Sequence, residues 1–280
     1  MQIASPSSVE AHLFPGIRQG DLNMHDLIWG KPGTVSNYHA ALSTADTEYA
    51  VPRHRHNFEQ VRYIVDGKVQ FGDVVVNGGA AVYFPEGVYY GPQVRTLGMK
   101  IFTIQFGGPS KNGFISRKEF EAAAEELKKR GHFEKGSFTY FDEKGQRHRK
   151  DSFEAVWEQA KGRDFEYPKP RYGDIVAMNP ENFQWVARPD AQGVADKWLG
   201  SFTECDMRVG LTRLEPDATL EVGNRDTAEI LFLTKGRVAC NGAEHGPETA
   251  FGLDPNEGPV SIKAQEESEF FVLRLPRLDS

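Results

Sequence analysis

The chain has 280 residues, 39% of them hydrophobic and 26% charged, ordinary proportions for a globular protein long enough for one large or two smaller domains. The net charge of −7 and isoelectric point near 5.7 argue against a nucleic-acid partner, which would call for a basic face. No apolar run approaches a membrane span, and the cysteines, Cys205 and Cys240, form no disulfide framework and no CxxC pair.

The first sixteen residues lack a basic segment followed by a long apolar core, so no signal peptide is expected. The expectation is a cytoplasmic protein without a membrane or nucleic-acid partner. Residues 33–112 then read as strands. "VRYIVDG", "VQFGDVVVNGG", "AAVYFP" and "MKIFTIQF" are short, rich in β-branched and aromatic residues, and divided by Gly, Pro, Asn and Asp.

The middle changes character. "SRKEFEAAAEELKKRG" (116–131) opens on a Ser116/Glu119 capping-box pair and carries an apolar stripe, with Gly131 as the expected stop. "DSFEAVWEQAKG" (151–162) repeats the plan from Asp151 to Gly162. Between them, "FTYFDEKGQRHR" reads as a hairpin around Lys144-Gly145, and "YPKPRYGD" (167–174) as a loop. Strands return from about residue 184. Within them, Glu229-"ILFLTK"-Gly236 echoes Gln60-"VRYIVD"-Gly67, a faint internal repeat. The expected layout is an N-terminal β unit (1–112), a helical and hairpin insert (113–183) and a C-terminal β unit (184–280).

The chemistry concentrates in "VPRHRHNFEQVRYIVDG" (51–67). Side chains two apart on a strand share a face, so His54 and His56 point the same way. On the inner side of a small barrel both imidazoles reach one metal. Gln60 starts the next strand facing the same interior. By alternation Arg62 and Ile64 also face in, while Val61 and Tyr63 face out. A second stretch, "GAAVYFPEGVYY" (79–90), brings Tyr90 toward that interior, with Tyr89 or Glu86 in its place if the register slips by one.

Together the stretches resemble the two motifs of the cupin superfamily, H-x-H-x3-4-E-x6-G and G-x5-P-x-G-x2-H-x3-N. Here they read His54-x-His56-x3-Gln60-x6-Gly67 and Gly79-x5-Pro85-x-Gly87-x2-Tyr90. The resemblance covers residues 38–107. It implies a mainly β fold of two double-stranded β-helix (jelly-roll) barrels, a bicupin, with a helical insert between them. Three departures stand out. Gln60 replaces the family's usual glutamate, Tyr90 its third histidine, and the final Asn has no counterpart. In the second unit Gly223 and Arg225 hold the histidine positions and only Glu229 is kept, which implies a metal-free, structural barrel.

The resemblance implies a divalent transition metal (Fe, Mn, Ni or Zn) on His54, His56 and Gln60, or a decayed site in which the histidines only hydrogen-bond. Gln60 is a weak neutral oxygen ligand, or it orients a water or a histidine. Tyr90 is a ligand, a general acid/base, a donor to substrate, or an aromatic filling the barrel mouth. Arg62 clamps a substrate carboxylate, or pairs structurally with Glu59, Asp66 or the insert. Ring-cleaving cupins resembling gentisate dioxygenase carry an arginine at this place. Of the remaining histidines, only His39 is placed to join the site. The implied function is a metal-dependent cupin enzyme acting on a small organic anion. Its most concrete form is a dioxygenase-like oxidoreductase on a carboxylic or phenolic acid, with Arg62 and Tyr90 as catalytic and substrate-binding residues. The alternatives are a metal-dependent isomerase or lyase, and a non-catalytic binding or structural bicupin. A homodimer is the expected assembly.

Overall fold

A computed structural model describes residues 1–13, 22–111, 113–134, 136–202 and 205–278. Residue 112, the expected end of the first unit, and residues 203–204 of "WLGSFTE" lie outside them.

The chain builds two β units of the same topology. In the N-terminal unit a seven-stranded sheet runs in the order Val176–Met178, Ala81–Phe84, Glu59–Asp66, Lys100–Phe106, Tyr38–Ala45, Leu22–Trp29, Ala11–Leu13. A four-stranded sheet, Tyr49–Val51, Gln93–Arg95, Lys68–Phe71 and Val74–Asn77, accompanies it. The C-terminal unit repeats this plan. Its large sheet runs Gln2–Ala4, Ala250–Leu253, Glu229–Lys235, Ser268–Arg274, Met207–Leu214, Val194–Phe202, Val186–Ala187. Glu59–Asp66 and Glu229–Lys235, the segments of the sequence repeat, hold the same place in the strand order.

Sheet membership crosses the expected boundaries twice. The N-terminal Gln2–Ala4 pairs with Ala250–Gly252 at the edge of the C-terminal sheet. Val176–Met178, from the insert, pairs with Ala81–Tyr83 at the edge of the N-terminal one. The edges exchanged this way are covered rather than left as open hydrogen-bonding templates.

The large sheets pack back to back. Tyr63 stacks on Phe271 with ring centroids 4.9 Å apart, and Phe102 on Phe232 at 4.1 Å. Val61, Tyr63, Ile230 and Phe232 belong to this shared core, and Phe183 and Trp185 pack against it. The alternate residues, Ile64 on one side and Leu231 and Leu233 on the other, fill the separate interiors of the units. Period-two alternation therefore assigns Gln60 and Arg62 to the interior of the first unit and Glu229 to that of the second.

The insert forms two helices. Helix α1 (Arg117–Lys128) starts as its capping box directs: Ser116 Oγ accepts from the Glu119 amide at 3.3 Å, and the Glu119 carboxylate accepts from the Ser116 amide at 2.7 Å. It ends sooner than Gly131, which instead opens the strand Gly131–Glu134. There a Cβ would lie 2.4 Å from the Thr139 carbonyl, so only glycine fits the close pairing. Helix α2 (Ser152–Lys161) is capped by Asp151 and closes at Gly162 in the left-handed region. The hairpin between them forms, Ser137–Phe141 pairing with Arg147–Asp151.

Candidate functional site

His54 and His56 precede the strand that carries Gln60 and Arg62. The two motif stretches are tied by backbone hydrogen bonds. His54 and Tyr90 exchange N–H···O bonds of 3.0 and 2.9 Å, and the Gly87 amide donates to the His56 carbonyl at 2.8 Å. Gly87 has φ +78°, and a Cβ there would fall 2.3 Å from the Pro168 carbonyl. Only glycine allows both the left-handed turn and the close passage of the loop over it.

The structure brings His54, His56, Gln60, Arg62 and Tyr90 together. The His54 and His56 rings meet edge to face with centroids 4.9 Å apart, and the Tyr90 ring lies 4.4 Å from His54. The Tyr90 hydroxyl is the hub. It lies 2.9 Å from His56 Nε2, 3.0 Å from the Arg62 Nη2 donor and 3.4 Å from the Gln60 Nε2 donor. Arg62 also donates to Gln60 Oε1 at 2.9 Å and, through Nη1, to Gln93 Oε1. Gln105 Nε2 adds a long contact of 3.4 Å to Gln60 Oε1.

Tyr89 and Glu86 are elsewhere. Tyr89 is exposed, and the Arg53 and Arg55 guanidinium carbons lie 4.8 and 4.5 Å from its ring centroid. Arg55 in turn lies 3.8 Å from the Tyr167 ring. The "RHRH" run thus turns its histidines into the site and its arginines onto surface aromatics. Glu86 is buried and accepts from the amide and hydroxyl of Ser110. His39 does not join the cluster. It is hydrogen-bonded to Asp26 at 2.8 Å and stacked on Trp29 at 4.0 Å. Asp26 also pairs with Arg117 of α1. Burial opposes ionisation of Asp26, but its hydrogen bond to His39 and the nearby charges of His39 and Arg117 hold its carboxyl below the usual range.

Arg62 has none of the carboxylate partners considered for it. Glu59 faces away, accepting from the Tyr83 hydroxyl at 2.7 Å and from Arg171 of the 167–174 loop. Arg62 is 6% exposed, and its hydrogen-bond partners are Gln60, Gln93 and Tyr90, all neutral. No described carboxylate lies within ion-pair distance of it. Its guanidinium is flanked by aromatic rings, with the Phe84 centroid at 4.4 Å, which offsets part of the desolvation. A cation so placed retains an unbalanced charge.

The donor set does not fit a tightly held dication. Among the described residues each histidine has one ring nitrogen in a hydrogen bond and the other buried without one, as a ligand would; for His54 the tautomer is also set. Its Nδ1 lies 2.7 Å from the Pro52 carbonyl, which only accepts, so in the neutral ring Nε2 carries the lone pair. His56 Nε2 meets the Tyr90 hydroxyl, and Gln60 Oε1 is taken by Arg62. A permanent guanidinium charge therefore contacts two of the four expected donors, where a metal site places carboxylates instead. Among the described residues no group of three or more His, Cys, Asp or Glu is placed to hold a metal ion.

No family model matches the chain, and no curated protein does. Solved structures do. A "putative dioxygenase" from Nostoc punctiforme superposes with a TM-score of 0.66 at 13% identity, over 100% of this chain and 84% of its own. Quercetin 2,3-dioxygenase from Acinetobacter baumannii gives 0.55 at 13%, over 100% and 87%. Oxalate decarboxylase from Bacillus subtilis gives 0.56 at 15%, over 100% and 77%. The chain has a bicupin fold. A further structure of that decarboxylase is named for its Mn(II) centres. The fold is thus shared with an enzyme that has Mn(II) centres, while identities this low carry the fold and not the reaction.

Sequence reasoning missed three polar residues here, two in the Arg62–Tyr90 network and Arg171 in the separate Glu59 cluster. Gln93 follows the second motif at Gly91-Pro92, Gln105 lies on the last strand of the unit, and Arg171 comes from the insert. Gln105 had a usable signal, since it alternates with Ile101 and Thr103 on an inward face. Gln93 and Arg171 had none.

Proposed function

We propose that this bicupin binds a small organic anion in its N-terminal unit, with Arg62 as the charged anchor and without a resident metal. The observation that carries the reading is the buried guanidinium held only by neutral acceptors. A carboxylate matches the guanidinium fork bidentately and supplies the missing charge. Gln60, Gln93 and Tyr90 would orient it. Arg53 and Arg55 at the rim favour entry of anions over cations.

The His56–Tyr90 hydrogen bond adds a route for a proton between imidazole and phenol at the edge of this anchor. Small carboxylic and phenolic acids are therefore the ligand class, with non-redox proton transfer as the chemistry the residues themselves support. The metal-dependent dioxygenase-like reading rests on the resemblance and on the named enzymes among the structural neighbours.

The test is a thermal-shift panel of carboxylic and phenolic acids on metal-depleted protein, beside Arg62→Gln. Stabilisation by a subset of acids that disappears in Arg62→Gln supports the reading. A panel that stabilises only after Fe(II) or Mn(II) is added overturns it in favour of the metal enzyme.

A further inference from the structure

The C-terminal unit carries a cavity of about 390 Å³, and its lining is almost entirely charged or polar. Arg208, Arg225, Arg274 and Arg277 line it with Asp206 and Asp226. It lies at the end of the unit where Glu229 begins its strand. Register places Arg208, Arg274 and Glu229 side by side on three neighbouring strands. Their alternate neighbours Leu273 and Ile230 belong to the shared core, so this row points into the unit. The matching row of the N-terminal unit reads His39, Gln105 and Gln60.

One carboxylate serves two guanidiniums here. Glu229 Oε1 accepts from Arg225 Nε at 3.2 Å and from Arg274 Nε at 3.0 Å, and Oε2 accepts from the Gly223 amide at 3.2 Å. Asp206 pairs with Arg208, and Asp226 with Arg277. Four arginines thus face three carboxylates, leaving one positive charge among the described residues. Arg225 and Arg274 spend only Nε on Glu229. Their terminal nitrogens have no acceptor among the described residues and border the cavity. The Arg274 guanidinium carbon also lies 4.4 Å from the Trp198 ring centroid, a cation–π contact that helps hold it in place.

We infer that this mouth is a second anion site, built by Arg208, Arg225, Arg274 and Arg277 for a small organic acid carrying two carboxylates. Arg208 and Arg274 stand on neighbouring strands about 4.8 Å apart, and Arg225 and Arg277 come from the flanking loops, so the guanidiniums are spread around the mouth rather than gathered in one compact nest. Two carboxylates on a short carbon chain match that spread. A cavity of 390 Å³ is at the small end for ligand sites and suits a molecule of this size.

The experiment is calorimetric titration of the full chain, in Arg62→Gln background so that the N-terminal site is silent, with succinate, acetate and inorganic phosphate as probes. Arg274→Gln would strand the buried Glu229, so the diagnostic variants are the more exposed Arg225→Gln and Arg277→Gln. Succinate is expected to bind more tightly than acetate or phosphate, with each variant weakening it about tenfold or more, the usual scale for a charged hydrogen bond. No succinate binding in the Arg62→Gln background overturns the inference. So does binding unchanged in both variants, or phosphate binding tighter than succinate.

Discussion

Glu59 offers a quantitative test of how the N-terminal unit partitions its charges. Its carboxyl is fully buried beside Gln60 but faces Tyr83 and Arg171. Burial outweighs the Tyr83 hydrogen bond and the Arg171 charge, Glu86 adds repulsion, and the pKa is pushed up to about 7 from 4.5. A carboxyl whose pKa is raised by folding stabilises the fold below its unfolded pKa and loses that contribution as pH rises through the folded value. At about 1.4 kcal/mol per unit, Glu59 withdraws roughly 2 to 3 kcal/mol between pH 5 and pH 8. Glu59→Gln removes the titration and keeps a group able to accept from Tyr83. Urea denaturation of both proteins at pH 5, 6, 7 and 8 is the assay. The wild type should lose roughly 2 to 3 kcal/mol more than Glu59→Gln over that range. Parallel pH profiles would show instead that Glu59 is ionised throughout and held by Arg171.

Three further outcomes follow from the geometry. Tyr90→Phe removes the hydroxyl shared by His56, Gln60 and Arg62 and should cost about 1 to 3 kcal/mol in urea denaturation, with weaker anion binding. Phe102→Ala empties one half of the stacked pair with Phe232 and should cost about 3 to 5 kcal/mol, both units melting in one calorimetric transition because they share that core. Gly87→Ala forces a Cβ toward the Pro168 carbonyl from a left-handed backbone, and should speed proteolysis of the 163–175 segment at limiting protease.

Much of this arrangement is legible from local rules. Gly67, Gly79 and Gly87 have positive φ, so the motif spacing records turns that only glycine makes without strain. Alternation from Gln60 to Ile64 separates interior from shared core because both faces of that strand are covered. Helix α1 and helix α2 announce their starts through Ser116 and Asp151. The exchanged strands are a different matter. Gln2–Ala4 and Val176–Met178 are three residues each, too short to carry a period, and their partners are chosen by tertiary packing. The same is true of the polar partners. Arg62 reads as an inward cation, but nothing local says that it meets Gln93 rather than Glu59. Nor does any spacing place Arg208 and Arg274 beside Glu229, since register between distant strands does that.

Arg62 is proposed to hold an organic anion without help from a metal. The most direct test is calorimetric titration of the best acid from the panel into chelator-treated protein, verified metal-free by mass spectrometry, beside Arg62→Gln and the double variant His54→Ala/His56→Ala. Binding to metal-free wild type is expected, retained within a few fold in the histidine variant and lost in Arg62→Gln. Binding that appears only with added metal and vanishes with the two histidines would contradict the proposal.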